Sequence, residues 1–139
     1  MKKILLIAFV SNSFAISLGD TFDKKSLIEN SKHTQKIKLI TRNSKSVNYE
    51  ITSDSSKMNI FINNSTHKIF AITWDNKTSV DFKDILGNYY QEFQEARKNP
   101  KQHIPLRSIV IDDGDLSFSQ YGSMITGFHG STYVKSLAP

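Results

Sequence analysis

Val47, Tyr49 and Ile51 alternate with Asn48, Glu50 and Thr52, and Met58, Ile60 and Ile62 repeat the alternation shortly afterwards. Successive side chains of a strand point to opposite faces, so each run predicts a half-buried β-strand. Asn63-Asn64-Ser65 supplies turn chemistry between the second run and the next apolar one. Ile69 to Trp74 is apolar at both parities apart from Thr73, which predicts a central strand covered on both faces. The period then changes. Phe82, Ile85, Leu86, Tyr89, Tyr90, Phe93 and Ala96 fall three or one apart and form one stripe of a helix. Thr78 with Asp81 offers a capping box, Arg97 and Lys98 suit the carbonyl end, and Asn99-Pro100 stops the helix. Gly87 lies inside this segment at a cost of about 1 kcal/mol relative to alanine; it marks either a close approach to the sheet or a tolerated defect.

Beyond the helix and a loop through Pro105, Leu106 to Ile111 reads as a strand, and Asp113-Gly114 is a two-residue hairpin signal. Leu116 and Phe118 share a face of the next strand. Tyr121-Gly122 is a second tight-turn candidate, Ser123 to His129 a return strand, Gly130 its break, and Tyr133-Val134 the start of another edge. Residues 20 to 35 are polar, with at most one helical turn around Lys24 to Glu29. The expectation is an α+β fold: one antiparallel sheet of about six strands in hairpins, with a single long amphipathic helix packed on one face. Residues 18–45 read as a polar N-terminal segment and 46–139 as one domain.

The first residues alter the picture of where the chain works. Lys2-Lys3, the apolar run Ile4 to Val10 and small residues ending near Ala15 have the three regions of a secretory signal peptide, in a short Met-Lys-Lys form of bacterial type. Cleavage fits after Ser17, giving a leader of residues 1–17, or after Ala15. No cysteine follows either site, so a lipid anchor is not expected, and no segment reaches the roughly 20 apolar residues that a transmembrane helix needs. The expected destination is the periplasm or the medium. The whole chain has 18 Lys+Arg against 13 Asp+Glu. Losing Lys2 and Lys3 leaves 16 against 13, or +3, spread over a solvated surface. Nucleic-acid binding, which needs a concentrated basic face, is not expected. With no cysteine, the domain must be held by its core.

Candidate chemistry gathers in "YGSMITGFHGSTYV", residues 121 to 134. Ser131 or Ser123 with His129 and one of Asp112, Asp113 or Asp115 is the nearest approach to a nucleophile, base and orienting acid. The nucleophile lacks a Gly-x-Ser-x-Gly elbow, and six residues of extended chain would hold Ser123 about 20 Å from His129. Candidate catalytic residues are therefore His129 and Ser131, and candidate ligand-binding residues are Tyr121, Ser123, His129 and Tyr133. His33, His67, His103 and His129 are isolated from one another, so no metal site or cofactor is expected. Asp112, Asp113 and Asp115 serve a turn and lack the spacing of a calcium loop. Trp74, Tyr89, Tyr90, Phe118, Phe128 and Tyr133 could line a groove but are needed mainly as core.

"IFAITW" at 69–74, "DFKDILGNYYQEFQEA" at 81–96 and "LSFSQYGSMITGFHGSTYVKSLAP" at 116–139 resemble, in order and spacing, a family of exported proteobacterial proteins, domain of unknown function family 2844. The likeness extends faintly to "LGDTF" at 18–22, which favours cleavage before Leu18. The family pattern carries histidine and methionine after a small-residue turn, where this chain has Ser123-Met124 after Tyr121-Gly122. The resemblance implies an envelope or secreted destination and brings no activity. The function expected is a non-enzymatic envelope or secreted module binding an envelope protein or glycan through a sheet face or edge. The alternative is a small hydrolase using the Ser131/His129 corner, and a weaker one is adhesion to an anionic polymer.

Overall fold

The computed structural model describes residues 16–22, 36–98 and 108–139. Residues 1–15 of the expected leader, the helical turn expected near 24–29, the loop through Pro105, His33 and His103 lie outside them. The described elements are β1 (Lys36–Arg42), β2 (Ser46–Thr52), β3 (Ser56–Asn63), β4 (Ile69–Asn76), α1 (Phe82–Leu86), a 3-10 turn (Gly87–Tyr89), α2 (Tyr90–Arg97), β5 (Ser108–Asp113), β6 (Leu116–Ser123), β7 (Gly127–Val134) and a closing 3-10 turn (Lys135–Leu137). All seven strands form one antiparallel sheet in the order β1-β2-β3-β4-β7-β6-β5. The helix carries the chain from the end of the first meander to the far edge, so the second meander runs back inward and β7 docks on β4.

The sheet has seven strands where about six were expected. The additional strand is β1, inside the segment read as polar: Lys36-Ile37-Lys38-Leu39 alternates, but only over four residues before the bulge between Leu39 and Thr41, and every side chain except the half-buried Ile37 is exposed. The strand β4 is not covered on both faces. Ile69, Ile72 and Trp74 are buried, whereas Phe70, Ala71 and Thr73 are only half-buried. A bulge between Phe61 and Ile62 accommodates the extra β4 residue, which is why both parities of β4 look apolar.

The core lies between the helix and the sheet face that carries Tyr49, Ile60, Ile72, Trp74, Phe118 and Val134. Phe82 and Phe93 from the two helical segments meet Phe118, with ring centroids 5.0 and 4.7 Å apart. Asp81 alone caps the helix: its carboxylate accepts from the Lys83 and Asp84 amides, and no box with Thr78 is needed. Gly87, at φ 54, interrupts the expected continuous helix with the 3-10 turn. A Cβ there would lie 2.8 Å from Cβ of Ser17, so the close approach is to residues 16–22 and not to the sheet. That segment is laced into the fold. The Leu18 amide donates to Ile85 O, Gly19 to Ile69 O and Phe22 to His67 O, and the Leu18 side chain is buried.

The hairpin turns also differ from expectation. Asp113 pairs with Leu116, so the tight turn is Gly114-Asp115, with Gly114 at φ 58. Tyr121-Gly122 is not a turn: β6 runs through to Ser123, and the loop is Met124-Ile125-Thr126. The return strand is accordingly Gly127–Val134, and Gly130 lies in its middle without breaking it.

Candidate functional site

Alternation places His129, Ser131 and Tyr133 of β7 on the side of the sheet facing away from the helix, with Gly130 and Thr132 toward the core. Register then decides their neighbours. Asp75 of β4, His129 and Tyr121 of β6 lie in one cross-strand row; Thr73, Ser131 and Ser119 form the next; Ala71, Tyr133 and Ser117 the third. In the first row the Asp75 carboxylate lies 3.2 Å from Nδ1 of His129. The imidazole in turn lies against the Tyr121 ring, with centroids 5.3 Å apart and planes 31° from parallel. In the second row the Ser119 and Ser131 hydroxyls are 3.3 Å apart. Tyr121 is 59 % and Tyr133 40 % exposed. The Tyr121 ring is thus presented to solvent beside an imidazole and a carboxylate, with a band of hydroxyls in the next row and the Tyr133 ring one row further along the same face.

The glycine between His129 and Ser131 serves the opposite face. Trp74, Gly130 and Gln120 share a row on the core side, and the indole crosses Gly130 to donate Nε1 to Gln120 Oε1 at 3.0 Å. A side chain at residue 130 would occupy the space of the ring, since its Cβ would lie 2.3 Å from Cζ2. Gly122 answers a different demand: a Cβ there would meet the Gly127 carbonyl across the hairpin.

Of the sequence-derived candidates, Tyr121, His129, Ser131 and Tyr133 come together on this face. Ser123 does not join them. Its Oγ accepts from the Ile125 and Thr126 amides at 3.2 Å each, so it holds the β6–β7 turn. The three aspartates considered as orienting acids are elsewhere. Asp112 pairs with Lys135 at 2.8 Å, Asp115 accepts from the amide and hydroxyl of Ser136, and Asp113 belongs to the β5 end of its hairpin. The carboxylate beside His129 is Asp75, which sequence reasoning missed. Its parity with Thr73 could have put it on this face, but nothing in the chain announces that β4 pairs with β7.

Chemically, the Asp75–His129 pair has the arrangement of an orienter and base, and the sequence-derived nucleophile does not reach it. Ser131 is two residues along the same strand, about 7 Å away by strand rise, and its hydroxyl is engaged by Ser119. Among the described residues, no group of three or more histidines, cysteines or acids could hold a metal ion. Trp74 and Phe118 are buried in the core and Tyr89 and Tyr90 pack against it, while Tyr133 faces out. At the same end of the sheet as Asp75 an open hollow of about 470 Å³ is lined by Lys57, Lys77, Asn76 and the hairpin tip Met124-Ile125. No helix among the described residues is long and apolar enough to cross a membrane.

No curated protein and no solved structure matches the chain. One family model does, described as a protein of unknown function, DUF2844, and it matches residues 17–139. These are the strands, the helix and the candidate face together with the segment that begins at Ser17, and the chain therefore belongs to the DUF2844 family.

Proposed function

We propose that the chain is an exported, non-enzymatic binding module that takes a hydroxyl-rich ligand, a glycan of the cell envelope, on the face formed by β4, β7 and β6. The observation that carries this reading is the exposed Tyr121 ring set against the His129–Asp75 pair. A sugar offers C–H groups that stack on an aromatic face and hydroxyls that pair with carboxylate, imidazole and hydroxyl partners, and this face supplies all of these within three adjacent strands. The β1 edge is a poorer docking surface. β1 carries Lys36, Lys38 and Arg42 and a register shift between Leu39 and Thr41, and charged, bulged edges resist strand addition.

Isotope-edited NMR titration of the protein with envelope oligosaccharides tests the reading. Shifts should concentrate at Tyr121, His129, Ser131 and Tyr133, and Tyr121→Ala should weaken binding about tenfold, the worth of one good ring contact. A full set of envelope glycans producing no shifts on this face would refute it. The 3.2 Å contact between Asp75 and His129 supports a second reading, a small hydrolase. Turnover of ester or glycoside substrates that disappears in a folded His129→Ala variant would favour that reading. Binding without turnover favours the module.

A further inference from the structure

We infer that the leader is removed at the Ala15–Ile16 bond, and that the α-ammonium of Ile16 made there joins the fold beside Asp81 and Asp84. The inference rests on the export reading and goes beyond it by assigning the processing site.

Two bonds satisfy the small-residue rule, and the fold distinguishes them. Ser17 is only 8 % exposed and Leu18 1 %, so the bond between them is enclosed. The Ser17 hydroxyl donates to Asp84 O, and its Cβ sits where a side chain on Gly87 would otherwise be. Gly87 thus makes room for Ser17, and a chain starting at Leu18 would leave that space unfilled. A start at Leu18 would also turn its amide, which donates to Ile85 O at 2.9 Å, into a charged ammonium at a buried residue. Burying a charge without a full set of partners is costly. Ile16 packs against the core from its rim and lines a hollow of about 230 Å³. The same hollow carries Asp81, Asp84 and Asn76, and the buried Asn76 Oδ1 has no hydrogen-bond partner. An ammonium at Ile16 arrives among acceptors and near solvent, where its charge is tolerated.

The covalent step is hydrolysis by an endopeptidase of the export machinery. Water adds across the amide, the C–N bond breaks, and the products are a carboxylate on Ala15 and an ammonium on Ile16. The test is to express the full-length chain in an exporting bacterium and read the intact mass and first residues of the recovered protein. A start at Ile16 is expected. A start at Leu18 overturns this inference and leaves export standing, whereas a chain retained uncleaved in the cell removes the export reading as well. As a second measurement, proteins beginning at Ile16 and at Leu18 are melted side by side. The longer should melt higher by about 4 °C or more, and equal melting temperatures would count against the inference. Acetylating the Ile16 amine should lower its melting temperature; an unchanged value overturns the role given to the ammonium.

Discussion

Replacing Gly130 by alanine adds one methyl group to the middle of β7, where the backbone itself would accept it, because Gly130 is not among the residues at positive φ. The obstacles are the indole of Trp74 and, from the paired strand, the Ser119 carbonyl. The new Cβ would lie 2.3 Å from Cζ2, 2.5 Å from Cε2 and 2.7 Å from Ser119 O. Carbon atoms pack best at about 3.5–4.0 Å, so the ring must retreat by about 1 Å or more. Overpacking of this kind costs about 1–3 kcal/mol. The retreat also stretches the 3.0 Å bond from Trp74 Nε1 to Gln120 Oε1, and leaving buried partners unsatisfied adds about 1–3 kcal/mol. Alanine returns about 0.4–1 kcal/mol by restricting the unfolded chain. The expected net loss is about 3 kcal/mol, a large part of the stability of a domain this size. Urea unfolding followed by far-ultraviolet circular dichroism measures it. Repeating the substitution on Trp74→Leu, which lacks both clashing ring atoms and the N–H, should make Gly130→Ala clearly cheaper, leaving only the part due to the Ser119 carbonyl. A loss under about 0.5 kcal/mol in the parent, or an equal loss in both backgrounds, would refute the account.

Ser123→Ala should cost about 1 kcal/mol in the same urea titration, since the hydroxyl holds two backbone amides of an exposed turn; an unchanged midpoint would show that the turn does not depend on it. Tyr89 titrates above the usual tyrosine range, chiefly because burial disfavours the phenolate and further because Asp115 and Glu92 repel it. The folded state therefore holds the phenolic proton more tightly than the unfolded chain. Its contribution is fully present below the unfolded value of about 10 and is lost as pH rises through the raised folded value. Stability measured against pH should fall more steeply above about pH 10 in the parent than in Tyr89→Phe; superimposable profiles would contradict the shift.

Much of the fold was legible because burial imposes a period on sequence. Val47, Tyr49 and Ile51 had to alternate, and Phe82 to Ala96 had to form a stripe, because each packs one side against a common core. The strand β1 escaped notice because its alternation, Lys36 to Leu39, is short, ends at a bulge and sits among lysines in an exposed, polar stretch. The turns were misplaced by a residue or more because glycine has several uses. Gly114 supplies a positive φ, Gly122 avoids a carbonyl, and Gly130 clears an indole, yet all three read alike as breaks.

The sequence by itself determined the types of most elements, the one-helix-and-sheet composition, and the parity that puts His129, Ser131 and Tyr133 on one side of their strand. It also singled out His129 and Tyr121, since an imidazole and a phenol near hydroxyls are few in this chain. Only the tertiary structure decided which partners those residues meet. The β4–β7 pairing that joins Asp75 to His129 spans 54 residues and closes the sheet after the helix has crossed it. Local pattern reports burial and period but not register between distant strands, and register is what separates a turn serine such as Ser123 from the face where Tyr121 and His129 stand.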